Sequence, residues 1–205
     1  MGQFFNPDNF LWRGLGKLGD FFMLSCCWVL CCVPVGTIGA ACIALYDATA
    51  HCVRGGEGGM YRRFFRTFKN ELGRGFLLTL FWAVIGFFLN ASYQILTQLA
   101  QQSNGWTVFS LVYFISLFIP LGIVCWAVAV ESRFTNSFFG LHKTALVLSF
   151  AHLPYTIAIV ALLVLGINVL INIPLLVMLL PGLMVYLQSF FIEKVLKKYM
   201  PADEA

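Results

Sequence analysis

The chain has 205 residues, of which 60% are hydrophobic and only 11% are charged, and its formal net charge is +4. A soluble domain has about 45–50% apolar and about 25% charged residues, so this composition excludes an ordinary water-soluble globule. A disordered chain is also excluded, because disorder requires low hydrophobicity and high net charge. The composition predicts an all-α fold, in which 1–205 form a single integral membrane domain built as a polytopic bundle of transmembrane helices.

Charged residues are absent from three stretches, at 21–46, 75–130 and 144–192. About 20 apolar residues cross the hydrocarbon core of a bilayer. Each stretch is therefore long enough for one spanning helix, and the last two are long enough for a pair. The expected helical hairpins are 76–130, with a turn near 98–106, and 144–192, with a turn near 166–172.

The first uncharged stretch contains Pro34, which removes a backbone hydrogen-bond donor from the middle of a helix. Residues 1–54 are expected to form either a helical hairpin, with Pro34, Thr37 and Gly39 at its structural turn, or one kinked span. In the hairpin alternative all 13 Lys and Arg residues fall on one side of the membrane, as the positive-inside rule requires of the cytoplasmic side. We predict six helices with both termini in the cytoplasm; the alternative is five spans with a kinked first helix.

Cysteine labelling distinguishes these two topologies. With Gln3→Cys on a cysteine-free background, six helices predict that a membrane-impermeant thiol reagent labels position 3 only after the membrane is opened. Ser103→Cys, in a turn expected outside, is the positive control. Labelling of position 3 in intact cells would place the amino terminus outside and favour five spans.

Residues 55–75 are predicted to be a cytoplasmic glycine-rich connector followed by an amphipathic helix at 61–72. Basic residues repeat at helical spacing along one face of this helix, and phenylalanines occupy another. The pattern is typical of a helix in the membrane interface, with basic side chains toward anionic headgroups and aromatic side chains toward acyl chains. A docking surface for a protein partner is the alternative. The candidate interaction or interfacial residues are Arg62, Arg63, Phe65, Arg66, Phe68 and Lys69.

Residues 131–143 are predicted to form a second cytoplasmic loop, and residues 193–205 a cytoplasmic tail. Arg133 and Asn136 are the candidate interaction residues of this loop. Arg133 is expected near Glu71 or near a carboxylate of a partner. The alternative is an interfacial anchor, in which the long arginine side chain reaches the headgroups.

The sequence predicts no catalytic residue, no cofactor and no metal site. Cys27 and Cys31 share a helical face, but this spacing differs from the looped C-x-x-C of zinc sites, so packing of small residues is the expected role. Asp47 and His152 are the candidates for a proton or substrate pathway. That interpretation is the weaker one, because few charges are expected within the membrane.

Three motifs resemble one known family. They are P-x-x-T-x-G-A-x-x-x-A-L-Y at 34–46, F-F-R-T-F-K at 64–69 and S-R-F-T-N-S at 132–137. Together with the carboxyl-terminal part of the chain, these motifs resemble the YesL family of bacterial membrane proteins, a family of unknown function. The resemblance implies a multi-pass protein of the bacterial plasma membrane, often encoded beside components of carbohydrate-uptake ABC transporters. It implies no established reaction and no defined active site.

The expected function is therefore non-enzymatic, as an accessory or interaction partner of a carbohydrate-uptake system of the ABC type. The alternative is a small transporter or channel with its own polar pathway. The expected partners are the lipid bilayer, including its anionic headgroups, and an ABC sugar permease or another membrane protein. Nucleic acid is not among the expected partners.

Overall fold

The computed structural model describes residues 10–56, 58–101, 104–134 and 137–199. Helices make up this fold and no β-strand occurs within those ranges, which confirms the predicted all-α class. A π-helical turn at Thr49–Arg54 continues the second helix. The helices are α1 (Phe10–Cys32), α2 (Ile38–Ala48), α3 (Met60–Asn70), α4 (Leu72–Ala100), α5 (Asn104–Ser116), α6 (Phe118–Arg133), α7 (Phe138–Ala151), α8 (Leu153–Asn172) and α9 (Leu180–Leu196).

Within the described ranges, three helical segments are long and apolar enough to cross a membrane: Leu72–Ala100, Gly105–Arg133 and Leu153–Asn172. The first is α4 and the third is α8. The second contains α5 and α6, which are separated only at Leu117. Segments of this length and hydropathy are the pattern of a membrane protein.

The predicted turn at 34–37 separates α1 from α2. A 3₁₀ turn at Val35–Thr37 lies between them, and Thr37 Oγ1 is 2.6 Å from the carbonyl oxygen of Cys31. Beyond the turn the two helices run back along each other, since Trp28 Nε1 lies 3.5 Å from Cys42 Sγ. The chain therefore reverses at this proline instead of continuing as one kinked helix.

The second predicted turn is confirmed and the third is displaced. Helix α4 ends at Ala100 and α5 begins at Asn104, within the expected 98–106 region. In contrast, α8 continues through 166–172, and the chain turns at 173–179 instead. Pro174 begins that turn because it has no amide hydrogen to donate to a helix.

The predicted 131–143 loop is also shorter than expected, because α6 extends to Arg133 and α7 begins at Phe138. The spanning helix that was expected to start at 144 is α8, which begins at Leu153. Pro154 lies in its first turn, where a proline has no helical hydrogen bond to lose. Helix α7 is therefore a separate short apolar helix between two longer ones.

Helix α2 lies at the centre of the bundle, where it packs against α1, α3, α4, α6 and α9. Small residues allow this central position, because they let neighbouring backbones approach closely. Gly39 in α2 and Gly75 in α4 face each other, and a Cβ atom on Gly75 would lie 2.6 Å from Ala40 Cβ. Gly39 also donates its amide hydrogen to Thr79 Oγ1 at 2.8 Å. Its role is thus a close helix crossing, and the prediction of a turn role for Gly39 is corrected accordingly.

Candidate functional site

The site is built from buried carboxylates at one end of the bundle. Among the residues that the structure describes, three carboxylate residues are buried, and each pairs with an arginine from another helix. Such pairing is required because an unpaired charge inside a protein is strongly destabilising. The pairs and their closest N–O distances are Asp47–Arg63 (2.9 Å), Glu131–Arg74 (3.2 Å) and Glu193–Arg133 (2.8 Å).

Asp47 joins α2 to α3 through several hydrogen bonds. Arg63 donates from Nε to Oδ2 at 2.9 Å and from Nη2 to Oδ1 at 3.1 Å. Thr67 donates to Oδ2 at 2.7 Å. Arg63 and Thr67 reach the same carboxylate because residues four apart lie on one face of a helix. The fully buried ring of Phe64 packs beside them, so this face of α3 is fastened to α2.

His51 extends the network beyond this pair. Its Nδ1 lies 2.9 Å from Asp47 Oδ1, and its Nε2 contacts Nη1 of Arg133. An arginine can only donate hydrogen bonds, so Nε2 accepts and the hydrogen of a neutral imidazole is assigned to Nδ1. In this tautomer the ring donates to Asp47 and accepts from Arg133. It therefore connects two ion pairs without adding a charge.

Arg133 and Glu193 form the other end of the network. Arg133 donates from Nε and Nη2 to Oε1 of Glu193, at 3.1 Å and 2.8 Å, and Tyr46 donates to the same oxygen at 3.0 Å. A continuous polar chain thus connects α3, α2, α6 and α9. Arg133 does not lie beside Glu71, as one prediction had it. Its partner is Glu193, because α9 packs with its last turns at this end of the bundle.

Other basic side chains lie at the same end. Arg54 donates to the carbonyl oxygen of Ser189 at 2.6 Å, and its guanidinium carbon is 4.9 Å from the ring centroid of Phe190. The amine of Lys17 lies 5.6 Å from the ring centroid of Tyr186. All of these contacts involve α9, the helix that also carries Glu193.

The candidate residues of α3 divide among several faces. Arg62, Arg66 and Lys69 are exposed, as expected for a basic face. Arg63 differs from that expectation, because Asp47 holds it against the bundle. Phe65 is 51% exposed. Phe68 is half-buried and packs with the buried Phe64, while Asn136 lies outside the described residues.

An open polar groove of about 690 Å³ runs beside the basic face of α3. Its floor includes Asp47, whose charge Arg63 balances. The other charged lining residues that the structure describes are arginines of α3. The groove is lined by Asp47, Gly58, Gly59, Arg62, Arg63, Arg66, Thr67 and Asn70.

The other candidate reactive residues, Asp47 with His152 and the cysteines, do not form a common site. His152 lies beside Tyr199, with Nε2 3.2 Å from the hydroxyl oxygen, while Asp47 has the partners described above. Cys26 contacts the sulfur of Met178 at 3.4 Å. Within the described ranges, no group of three or more His, Cys, Asp or Glu side chains is arranged to hold a metal ion.

Two members of the network were missed by reasoning from the sequence. Glu193 was assigned to a cytoplasmic tail, and Tyr46 entered only as part of a motif. A usable signal existed for Glu193, since it directly follows 49 residues without a charge, at 144–192. A carboxylate at such a border needs a cation from another helix, and Arg133 lies just after the preceding uncharged stretch at 75–130.

Comparison with known proteins gives one match. Residues 21–93 match the family described as "Protein of unknown function, DUF624". This segment includes α2 and α3, and therefore Asp47, His51 and Arg63. No curated protein and no solved structure is significantly similar to the chain.

Proposed function

We propose that this chain is a multi-pass protein of the bacterial plasma membrane that works by binding other membrane components. Its partner in this proposal is a permease of a carbohydrate-uptake ABC system. The match of residues 21–93 to a family of unknown function supports the resemblance to the YesL family. That resemblance is the source of the carbohydrate assignment.

The observation that carries the proposal is the pairing of the buried carboxylates. Asp47, Glu131 and Glu193 each have an arginine partner, and these pairs join separate helices. A transport pathway requires polar groups that are free to bind a substrate near the middle of the membrane. In this bundle the paired charges serve to position helices, which favours a binding protein over a transporter.

The apolar surfaces also favour a binding protein over a transporter. A groove of about 770 Å³ between α6, α7 and α8 is lined mostly by aliphatic and aromatic side chains, such as Phe118, Ile157 and Leu165. A saccharide needs hydrogen-bonding groups along its path. A lining of this kind suits acyl chains or another membrane helix better.

The proposed topology has six membrane helices and both termini in the cytoplasm. Its support is the position of Lys17, Arg54 and Arg133 at one end of the bundle, together with the basic helix α3. Basic residues accumulate on the cytoplasmic side of bacterial membrane proteins. The network and the basic face of α3 then share the cytoplasmic side.

Purification from the native host tests the accessory role. The tagged full-length chain is extracted in mild detergent, and co-purifying proteins are quantified by mass spectrometry against an equally abundant tagged membrane protein. We expect a sugar permease to be enriched with this chain only. Purification of the chain alone, combined with saccharide uptake by proteoliposomes that contain it, would instead establish a transporter.

A further inference from the structure

The exposed surface of α3 has two neighbouring stripes of different chemistry. Tyr61 and Phe65 are 40% and 51% exposed and lie four residues apart, so they form an aromatic stripe. Arg62 and Arg66 have the same spacing one residue further on, and they form a basic stripe that borders the polar groove. The opposite side of the helix is fastened to the bundle through Phe64.

The charge of the groove is not balanced within the described part of the chain. Asp47 is its one carboxylate lining residue there, and Arg63, Thr67 and His51 already bond both oxygens of that side chain. Arg62 and Arg66 have no ion pair with any described residue. Two guanidinium groups therefore face the groove, and no described carboxylate binds them.

We propose that Arg62 and Arg66 bind the phosphate of an anionic phospholipid headgroup in this groove. A guanidinium group matches the geometry of phosphate oxygens through paired hydrogen bonds, and two arginines one helical turn apart can hold one phosphate between them. Gly58 and Gly59 have no side chain to close this side of the groove.

The neighbouring aromatic stripe identifies a lipid as the source of that phosphate. Tyr61 and Phe65 lie next to the arginines and are exposed, so an acyl chain or glycerol backbone can contact them while the phosphate contacts Arg62 and Arg66. A soluble phosphate would leave these rings in water. Exposed aromatic and basic side chains on one short helix are the combination found on membrane-surface helices.

Lipid selectivity in a reconstituted bilayer tests this site. The purified full-length chain is placed in phosphatidylcholine bilayers with trace spin-labelled phosphatidylglycerol or phosphatidylcholine, and electron spin resonance gives the association of each lipid relative to the other. We expect the wild-type chain to prefer phosphatidylglycerol. The substitutions Arg62→Gln and Arg66→Gln should each reduce that preference about fivefold, as expected for one basic residue near a membrane surface.

A matched variant separates a site from a general charge effect. Lys143→Gln with Lys198→Gln removes the same charge from exposed positions away from the groove, and should leave most of the preference intact. The double variant Arg62→Gln/Arg66→Gln is compared with it. An equal loss of the phosphatidylglycerol preference in the two double variants would overturn the proposal, as would an unchanged preference in Arg62→Gln/Arg66→Gln. Folding is checked by circular dichroism, and Arg62 and Arg66 have no described ion pair whose loss would unfold the chain.

A second arm addresses soluble phosphate. Inorganic phosphate at millimolar concentration is added to the chain in phosphatidylcholine bilayers, and its binding is measured by calorimetry. We expect no saturable heat. Saturable binding that disappears in Arg62→Gln/Arg66→Gln, without any preference for phosphatidylglycerol, would assign the site to a soluble phosphate compound and overturn the lipid assignment. No partner protein is present in either arm, so the result is independent of the accessory role.

Discussion

Replacing Gly75 with alanine is expected to lower the free energy of unfolding by about 3 kcal/mol, at the upper end of the range for overpacked cores. The new Cβ would lie 2.5 Å from Ala40 Cα and 2.6 Å from Ala40 Cβ, closer than van der Waals contact permits. The obstructing atoms include backbone, which cannot rotate away as a flexible side chain can. Helices α2 and α4 would have to separate at the centre of the bundle.

Unfolding in mixed micelles, followed by tryptophan fluorescence, measures this effect. Gly73→Ala is the matched control, because it makes the same change two residues earlier in α4, where no atom lies within 4 Å of the added Cβ. Alanine is favoured over glycine in a helix by about 0.5–1 kcal/mol, so Gly73→Ala should be neutral or slightly stabilising. Equal stabilities for the two variants would refute the close crossing of α2 and α4.

Replacing Glu193 with alanine is expected to cost about 3–5 kcal/mol, the usual penalty for leaving one partner of a buried ion pair alone. The side chain of Arg133 is only 13% exposed, so water cannot substitute for the lost carboxylate. Tyr46 loses its acceptor in the same variant. The packing of α2 should be destabilised as well, because Arg133 also contacts His51, which lies in the turn that continues α2.

A double-mutant cycle isolates the pair. Arg133→Met alone and Glu193→Leu alone should each be about as damaging as Glu193→Ala, since each leaves one buried charge without its partner. Arg133→Met combined with Glu193→Leu should lose much less than the sum of the single losses, because removing both charges removes the desolvation cost. Arg62→Gln, at an exposed position without a described ion pair, is the control and should change stability by less than about 0.5 kcal/mol. Additive losses in the cycle would mean that the two side chains do not interact.

Several elements could be predicted from the sequence because their causes are local. The uncharged stretches 75–130 and 144–192 predicted the positions of the apolar membrane-length helices, since hydropathy over about 20 residues is enough to define such a segment. Pro34 predicted the first turn because a proline cannot donate a helical hydrogen bond. The spacing of Arg62, Arg66 and Lys69 predicted a helix where α3 lies, since helical periodicity is also a local property. The turn expected at 166–172 was misplaced, because an asparagine side chain can form a hydrogen bond with the backbone of its own helix. Asn172 Nδ2 donates to the carbonyl oxygen of Asn168 at 2.8 Å.

The sequence by itself therefore determined the all-helical class and the long apolar helices. Only the tertiary structure decided that Arg63 faces Asp47 while Arg62 faces the groove, that Arg133 pairs with Glu193, and that Gly39 is a crossing point. Hydropathy and helical periodicity act between residues that are close along the chain. Ion pairs and helix crossings form between residues that are far apart along it: Arg133 and Glu193 are separated by 60 positions. Which of them meet depends on how the helices pack, and that is a property of the whole bundle.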